Sequence, residues 1–262
     1  MMGLSVTVVA LLALAAFAAG LVDAIAGGGG LLTVPALLAA GLPPQIALAT
    51  NKGQACFGAV SSFASFWMRD GIDRKRAPWG FVCGFVGSLA GAYVLTVIKP
   101  EPLKPVVLVL LVLAAAFVAW PRKPSTGRPH DWAMIALVPL ALAFGFYDGF
   151  FGPGVGSMLI VMFVLLFGDT LTRASGNAKV VNLASNIAAL ILFASRGAVL
   201  WKISLPMAVA NAAGAFVGAR LAIKRGDRFV RVVVLVVVAA LVAKITWDVA
   251  CGTTAGRLPS KP

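Results

Sequence analysis

Apolar residues run along this chain in long uninterrupted spans, separated by short polar stretches. Spans near 4–22, 46–68, 78–98, 103–120, 133–151, 174–195, 203–222 and 230–250 read as helices. Most are long enough to cross a hydrocarbon core of about 30 Å at roughly 1.5 Å per residue. Two shorter apolar pieces, 31–41 and 157–167, reach only about half of that depth. Each follows a glycine cluster, Gly27 to Gly30 in the first case and Gly152-Pro-Gly154-Val-Gly156 in the second. Consecutive glycines break a helix, and in lipid a break survives only where protein or a water-filled cavity satisfies the freed backbone groups. Short, glycine-interrupted segments at corresponding places in two halves point to a transporter's binding site. The expected fold is all-α, a polytopic integral membrane protein of about eight long helices plus two short broken ones.

The halves align at a spacing of 125 to 127 residues. Gly20 matches Gly145, Asp23 matches Asp148, Gly27 and Gly29 match Gly152 and Gly154, and Lys52 matches Lys179. Further on, Phe66 matches Phe193, Gly87 and Gly91 match Gly214 and Gly218, and Trp120 matches Trp247. Chance alignment of apolar sequence would pair leucines and valines, not these residue types, so the chain reads as a duplication. Repeat 1 covers 1–120, a proline-rich charged linker 121–132, repeat 2 133–252, and a polar tail 253–262.

Loop charge bears on the relative orientation of the repeats. The loop Arg69 to Arg76 carries four basic residues and its counterpart Arg196 to Lys202 carries two. The next loop, Lys99 to Lys104, carries two, against four in Lys224 to Arg231. Parallel repeats should keep equivalent loop charges and inverted repeats should exchange them. The exchange favours inverted repeats with a cytoplasmic linker, each short broken piece counting as one crossing. The pairs Gly87/Gly91 and Gly214/Gly218 place small residues on one helix face. Intramolecular packing is the preferred role for both pairs, and a homodimer contact is the alternative.

Composition agrees with a membrane protein: 60% of residues are hydrophobic, 12% are charged, and the mean hydropathy is +0.97. The net charge of +13 would suggest nucleic acid in a soluble protein. Here most of the basic residues sit in short loops, where anchoring against anionic lipid accounts for them, so no nucleic-acid partner is expected. Ala16-Phe17-Ala18 resembles a signal-peptide cleavage site, but no basic region precedes it, and the first span reads as a retained transmembrane helix. Cys56, Cys83 and Cys251 lack metal-ligand spacing and read as small packing residues, while His130 lies in the linker. A P-loop, nucleophilic triads and metal motifs are absent from the sequence, so no cofactor is expected and an enzyme is disfavoured.

Chemistry concentrates at the breaks and in the helices after them. Lys52 and Lys179 sit inside apolar runs, where a lysine costs about 2.5–3.5 kcal/mol on insertion scales unless it faces a cavity, partner or substrate. Snorkelling to the interface is the alternative. Amides accompany both: Asn51 and Gln54 beside Lys52, and Asn177, Asn182, Ser185 and Asn186 around Lys179. Lys179, Asn182 and Asn186 share one helical face. Half-helices starting near Leu31 and Ser157 present unpaired N–H groups and a positive dipole end. The expected anion site therefore joins these side chains to Gly28, Gly29, Gly30, Gly154, Gly156 and Ser157. Asp23 and Asp148, four residues before the breaks, could carry a coupling proton, pair with a lysine, or cap the break.

These residues carry a resemblance. Gly27-Gly-Gly-Gly30 with Pro35, Ala49-Thr-Asn-Lys52, Gly149-Phe-Phe-Gly-Pro-Gly154, and Ala178-Lys-Val-Val-Asn182 through Ser185-Asn186 resemble the sulfite exporter TauE/SafE family, also called the toluene sulfonate uptake permeases. The resemblance covers essentially the whole chain. It implies a multi-pass bacterial inner-membrane protein moving small sulfur-containing oxyanions or organosulfonates (sulfite, sulfonate, sulfoacetate-like), coupled to a proton or sodium ion. A passive anion channel is the second reading and a membrane-embedded enzyme the third.

Overall fold

The computed structural model describes residues 5–119 and 132–251, and the polar linker with His130, Trp120 and the tail 253–262 lie outside the described residues. Among the described residues the chain is helical throughout: α1 (Val6–Ala26), α2 (Gly30–Ala39), α3 (Pro44–Trp67), α4 (Ala77–Val97), α5 (Pro100–Ala119), α6 (Ala133–Phe150), α7 (Val155–Phe167), α8 (Leu171–Ser195) and α9 (Trp201–Cys251). Gly226, at φ 67° and ψ −165°, breaks α9, so this segment supplies the two helices expected at 203–222 and 230–250. Eight long helices and two short ones result, as expected. Five described spans are long and apolar enough to cross a membrane by themselves: α1, α4, α6, α8 and Trp201–Val230 of α9. α3 is as long but carries Asn51, Lys52 and Gln54 in its middle.

Backbone contacts set the helix directions. Along α1, Phe17 meets Gly214 and Leu21 meets Gly218, so α1 and α9 run parallel. Along α4, Gly84 meets Gly145 and Gly91 meets Phe146 and Phe150, so α4 and α6 run parallel too. At Gly87, Gly91, Gly214 and Gly218 a Cβ would collide with the facing backbone. Both glycine pairs therefore pack within the chain, the small residues letting helices approach closely.

α3 and α8 run antiparallel. Gly71, just past α3, lies against Gly176 near the start of α8, while Leu200 N, past α8, donates to Thr50 Oγ1 near the start of α3 (3.2 Å). Gly71 and Gly197 consequently sit at opposite ends of the pair. The short helices diverge from the centre: α2 ends among Leu12, Leu42, Ala47 and Ile203, and α7 ends among Phe167 and Ala174 near the opposite end.

Candidate functional site

The two glycine breaks touch at the centre of the molecule. Gly27 closes α1 in the left-handed region (φ 76°), and its carbonyl accepts from Ser157 N (2.9 Å). Ser157 Oγ donates to Ala26 O (2.6 Å), and Gly30 lies against Pro153. A side chain at Gly27 or Gly156 would overlap the other's backbone. The sequence thus brings two helix N-termini, those of α2 and α7, to one place. Among the described residues the N–H groups of Gly30, Gly154 and Gly156 make no backbone hydrogen bond. They are the orphan donors of a helix start.

Lys52 and Lys179 each lie eight residues inside their helix, about 12 Å from its start. Neither snorkels. Lys52 Nζ donates to Asp148 Oδ1 (2.5 Å), and both side chains are 3% exposed. Lys179 Nζ donates to Asp23 Oδ2 and to Asp23 O, both at 2.6 Å, with side-chain exposures of 0% and 26%. The pairing is reciprocal, each lysine meeting the aspartate that precedes the other half's break. Asp148 Oδ2 also accepts from Asn182 Nδ2 (3.2 Å) and from Ser185 Oγ. Asp23 Oδ1 accepts from Gly29 N (3.2 Å), which caps the break. Of the three roles open to the aspartates, pairing holds for both and capping for Asp23.

A cavity of about 40 Å³ lies at this junction, lined by the breaks, both aspartates, Asn51, Lys52, Gln54, Asn182, Asn186 and Asn211. Its volume suits a few waters or one small polyatomic group. Asn51 Oδ1 accepts from Thr33 Oγ1 (2.6 Å) and Gln54 Nε2 (2.8 Å). Gln54 is almost wholly buried, and its Oε1 has no partner among the described residues. An unpaired amide end at a cavity wall is a group waiting for a ligand or water, because leaving it empty costs about 1–3 kcal/mol.

Several expected residues sit beside the cavity rather than on it. Lys179 and Ser185 act through the aspartates, and Ser157 staples the two breaks together. The Gly28 carbonyl accepts the first turn of α2 from Leu31 N (3.0 Å). Asn177 is placed elsewhere. Two residues from Lys179, it points off the shared face, accepting from Asp73 N (2.7 Å) and donating to Asp169 Oδ2 (2.7 Å). It belongs to an ionic cluster at the α3–α4 loop, where Arg76 grips Asp169 through two hydrogen bonds (2.9 and 3.1 Å) and reaches Asp73 (2.7 Å). Burial pushes the Asp73 carboxyl up, but bonds from Arg76 and the Lys75 and Arg76 amides outweigh it and hold it below its ordinary range. Burial likewise works against the Arg76 charge, and Asp169 and Asp73 more than offset it, raising the guanidinium further. Sequence reasoning missed Asn211, whose Nδ2 donates to Ala16 O (3.1 Å). Its signal was a lone amide in the apolar stretch just before Gly214.

No group of three or more His, Cys, Asp or Glu side chains among the described residues could hold a metal ion. A multi-pass membrane protein whose two broken helices meet at a small polar cavity has the build of a membrane transporter. Comparison with known proteins agrees: the chain belongs to the Sulfite exporter TauE/SafE family, whose profile matches residues 12–245. It is 38% identical over 237 residues to "Probable membrane transporter protein YfcA" of Escherichia coli K12, covering 89% of this chain and 87% of that protein. "Probable membrane transporter protein ORF9" of Sinorhizobium sp is 36% identical over 255 residues, covering 95% and 96% of the two chains. A "Probable membrane transporter protein" of Haemophilus influenzae is 34% identical over 249 residues, covering 94% and 98%. No solved structure matches the chain.

Proposed function

We propose that the chain is a secondary transporter of small sulfur-containing oxyanions or short organosulfonates, working through two inverted halves around the central cavity. The observation that carries this reading is the convergence of two helix N-termini, with the N–H groups of Gly30, Gly154 and Gly156 and the Lys52 ammonium, on one cavity of about 40 Å³. Orphan N–H groups and dipole ends select a negative group. The volume suits a sulfite ion or a sulfonate head better than an aromatic ring. The reciprocal pairs Lys52–Asp148 and Lys179–Asp23 and the antiparallel α3 and α8 support inverted halves.

The test is uptake of sulfite and short-chain sulfonates into proteoliposomes. Lys52→Gln alone would leave Asp148 without a countercharge, so the informative variant is Lys52→Gln with Asp148→Asn, which keeps the charge balance. It should insert normally and lose most uptake, whereas Lys202→Gln, at an exposed position, should change little. Uptake unchanged in the double variant would remove Lys52 from the site. Concentrative uptake abolished by a protonophore separates a coupled transporter from a channel.

A further inference from the structure

We infer that anion binding in the central cavity is linked to uptake of one proton by Asp23, so that cargo and proton occupy the site together. The inference rests on the anion reading above and follows from charge balance. Four ionisable side chains meet around the cavity, Lys52 and Asp148 as one pair and Lys179 and Asp23 as the other. Their charges sum to zero. Among the described residues the helices packed against α1 add no further charge there: α8 brings Lys179, α3 brings Lys52, α9 brings Asn211, and the faces of α2 and α7 are uncharged. An anion entering alone would leave a buried net charge, which is costly at low dielectric. An anion entering with a proton leaves the sum at zero.

Local geometry selects Asp23 as the group that takes the proton. Asp148 is held by three side-chain donors, Lys52, Asn182 and Ser185, and is nearly sealed from water. Asp23 accepts from two donors, Gly29 N and Lys179, and its side chain is 26% exposed. It has fewer bonds to lose and is the more exposed of the two. Once Asp23 is neutral, Lys179 keeps its bond to the Asp23 carbonyl (2.6 Å) but has no countercharge. The cavity region is then one positive charge in excess, which matches a monoanion.

The experiment is calorimetric titration of purified protein with methanesulfonate in two buffers of different ionisation heat, which counts protons taken up per anion bound. Methanesulfonate stays fully ionised, so any proton taken up goes to the protein. Wild type should take up about one proton per anion where Asp23 is ionised, and affinity should fall about tenfold per pH unit over that range. Asp23→Asn should bind with little pH dependence and no proton uptake. Binding by wild type without proton uptake overturns the linkage, and no folding defect in a variant can rescue it. Uptake undiminished in Asp23→Asn overturns the assignment to Asp23. No binding of methanesulfonate overturns the anion reading itself, and the linkage with it.

Discussion

The two glycine breaks carry the same parts and use them differently. At the second break Asp148 is buried and held by Lys52, Asn182 and Ser185, while at the first Asp23 is partly exposed and held by Lys179 and the Gly29 amide. A buried charge with a full set of donors is a fixed structural element. A more exposed one with fewer donors is the one to which the linkage proposed above assigns the proton. The difference teaches that matched residues in two halves need not share a role, and that burial and donor number decide which one can move.

The largest effect should come from breaking this comparison at its rigid side. Asp148→Ala leaves the Lys52 ammonium buried without countercharge, an error worth about 3–5 kcal/mol. Asp23→Ala should cost clearly less, because Lys179 keeps the carbonyl of residue 23 and the carboxylate lost is the more exposed of the two. Thermal unfolding of the two variants in detergent gives the order, and equal losses would mean that the two pairs are equivalent after all.

A second contrast lies in the backbone of the breaks. Gly27 (φ 76°) has the Gly156 and Ser157 backbone directly against it, whereas Gly41 (φ 87°) has open space around the position of a Cβ. Gly41→Ala should therefore cost only the left-handed strain of about 1–2 kcal/mol. Gly27→Ala adds an overlap that separates the two breaks, and should lose both anion binding and more stability than Gly41→Ala. Binding retained by Gly27→Ala at wild-type affinity would argue that contact between the breaks does not form the site.

The helices and both breaks were legible because hydrophobic period, glycine clusters and span length are local signals. Burial of Lys52 and Lys179 was legible for the same reason, since each sits well inside an apolar run. The partners were not. Lys52 meets Asp148 across 96 residues and Lys179 meets Asp23 across 156, and nothing in one sequence ranks that pairing above a cap or a free carboxylate. Asn177 was grouped with Lys179 by proximity in the chain, although residues two apart do not share a helix face. The charge count of loop 69–76 covers its basic residues alone and loop 168–173 enters no sequence argument, so the acids that Arg76 binds, Asp73 and Asp169, are not legible there. Gly84 stands where the expected repeat register would seek a partner for Asn211, so that register gives no sign of the amide.

The ends of α3 and α8 extend the comparison to smaller effects. At one end Asp73 N donates to Asn177 and the loop is tied by Arg76, Asp73 and Asp169, while at the other Leu200 N donates to Thr50 beside Ile203 and Leu42. One seal is ionic and the other apolar. Arg76 is 11% exposed and bonds two carboxylates, so Arg76→Ala should cost about 1.5–3 kcal/mol. Arg74 is 63% exposed in its pair with Asp70, and Arg74→Ala should fall within about 0–1 kcal/mol. The ionic seal alone should respond to acid. The Asp73 carboxyl is held below its unfolded value, which is about 3.9. Its stabilisation is therefore fully present above that value and is lost as pH falls through the folded one. Wild type should melt above Asp73→Asn at pH 7, and the gap should narrow in acid once the carboxyl is protonated in both folded and unfolded chains. A gap that stays constant from neutral to strongly acidic solution would mean that Asp73 acts as a hydrogen-bond acceptor only, and that its charge contributes nothing to this seal.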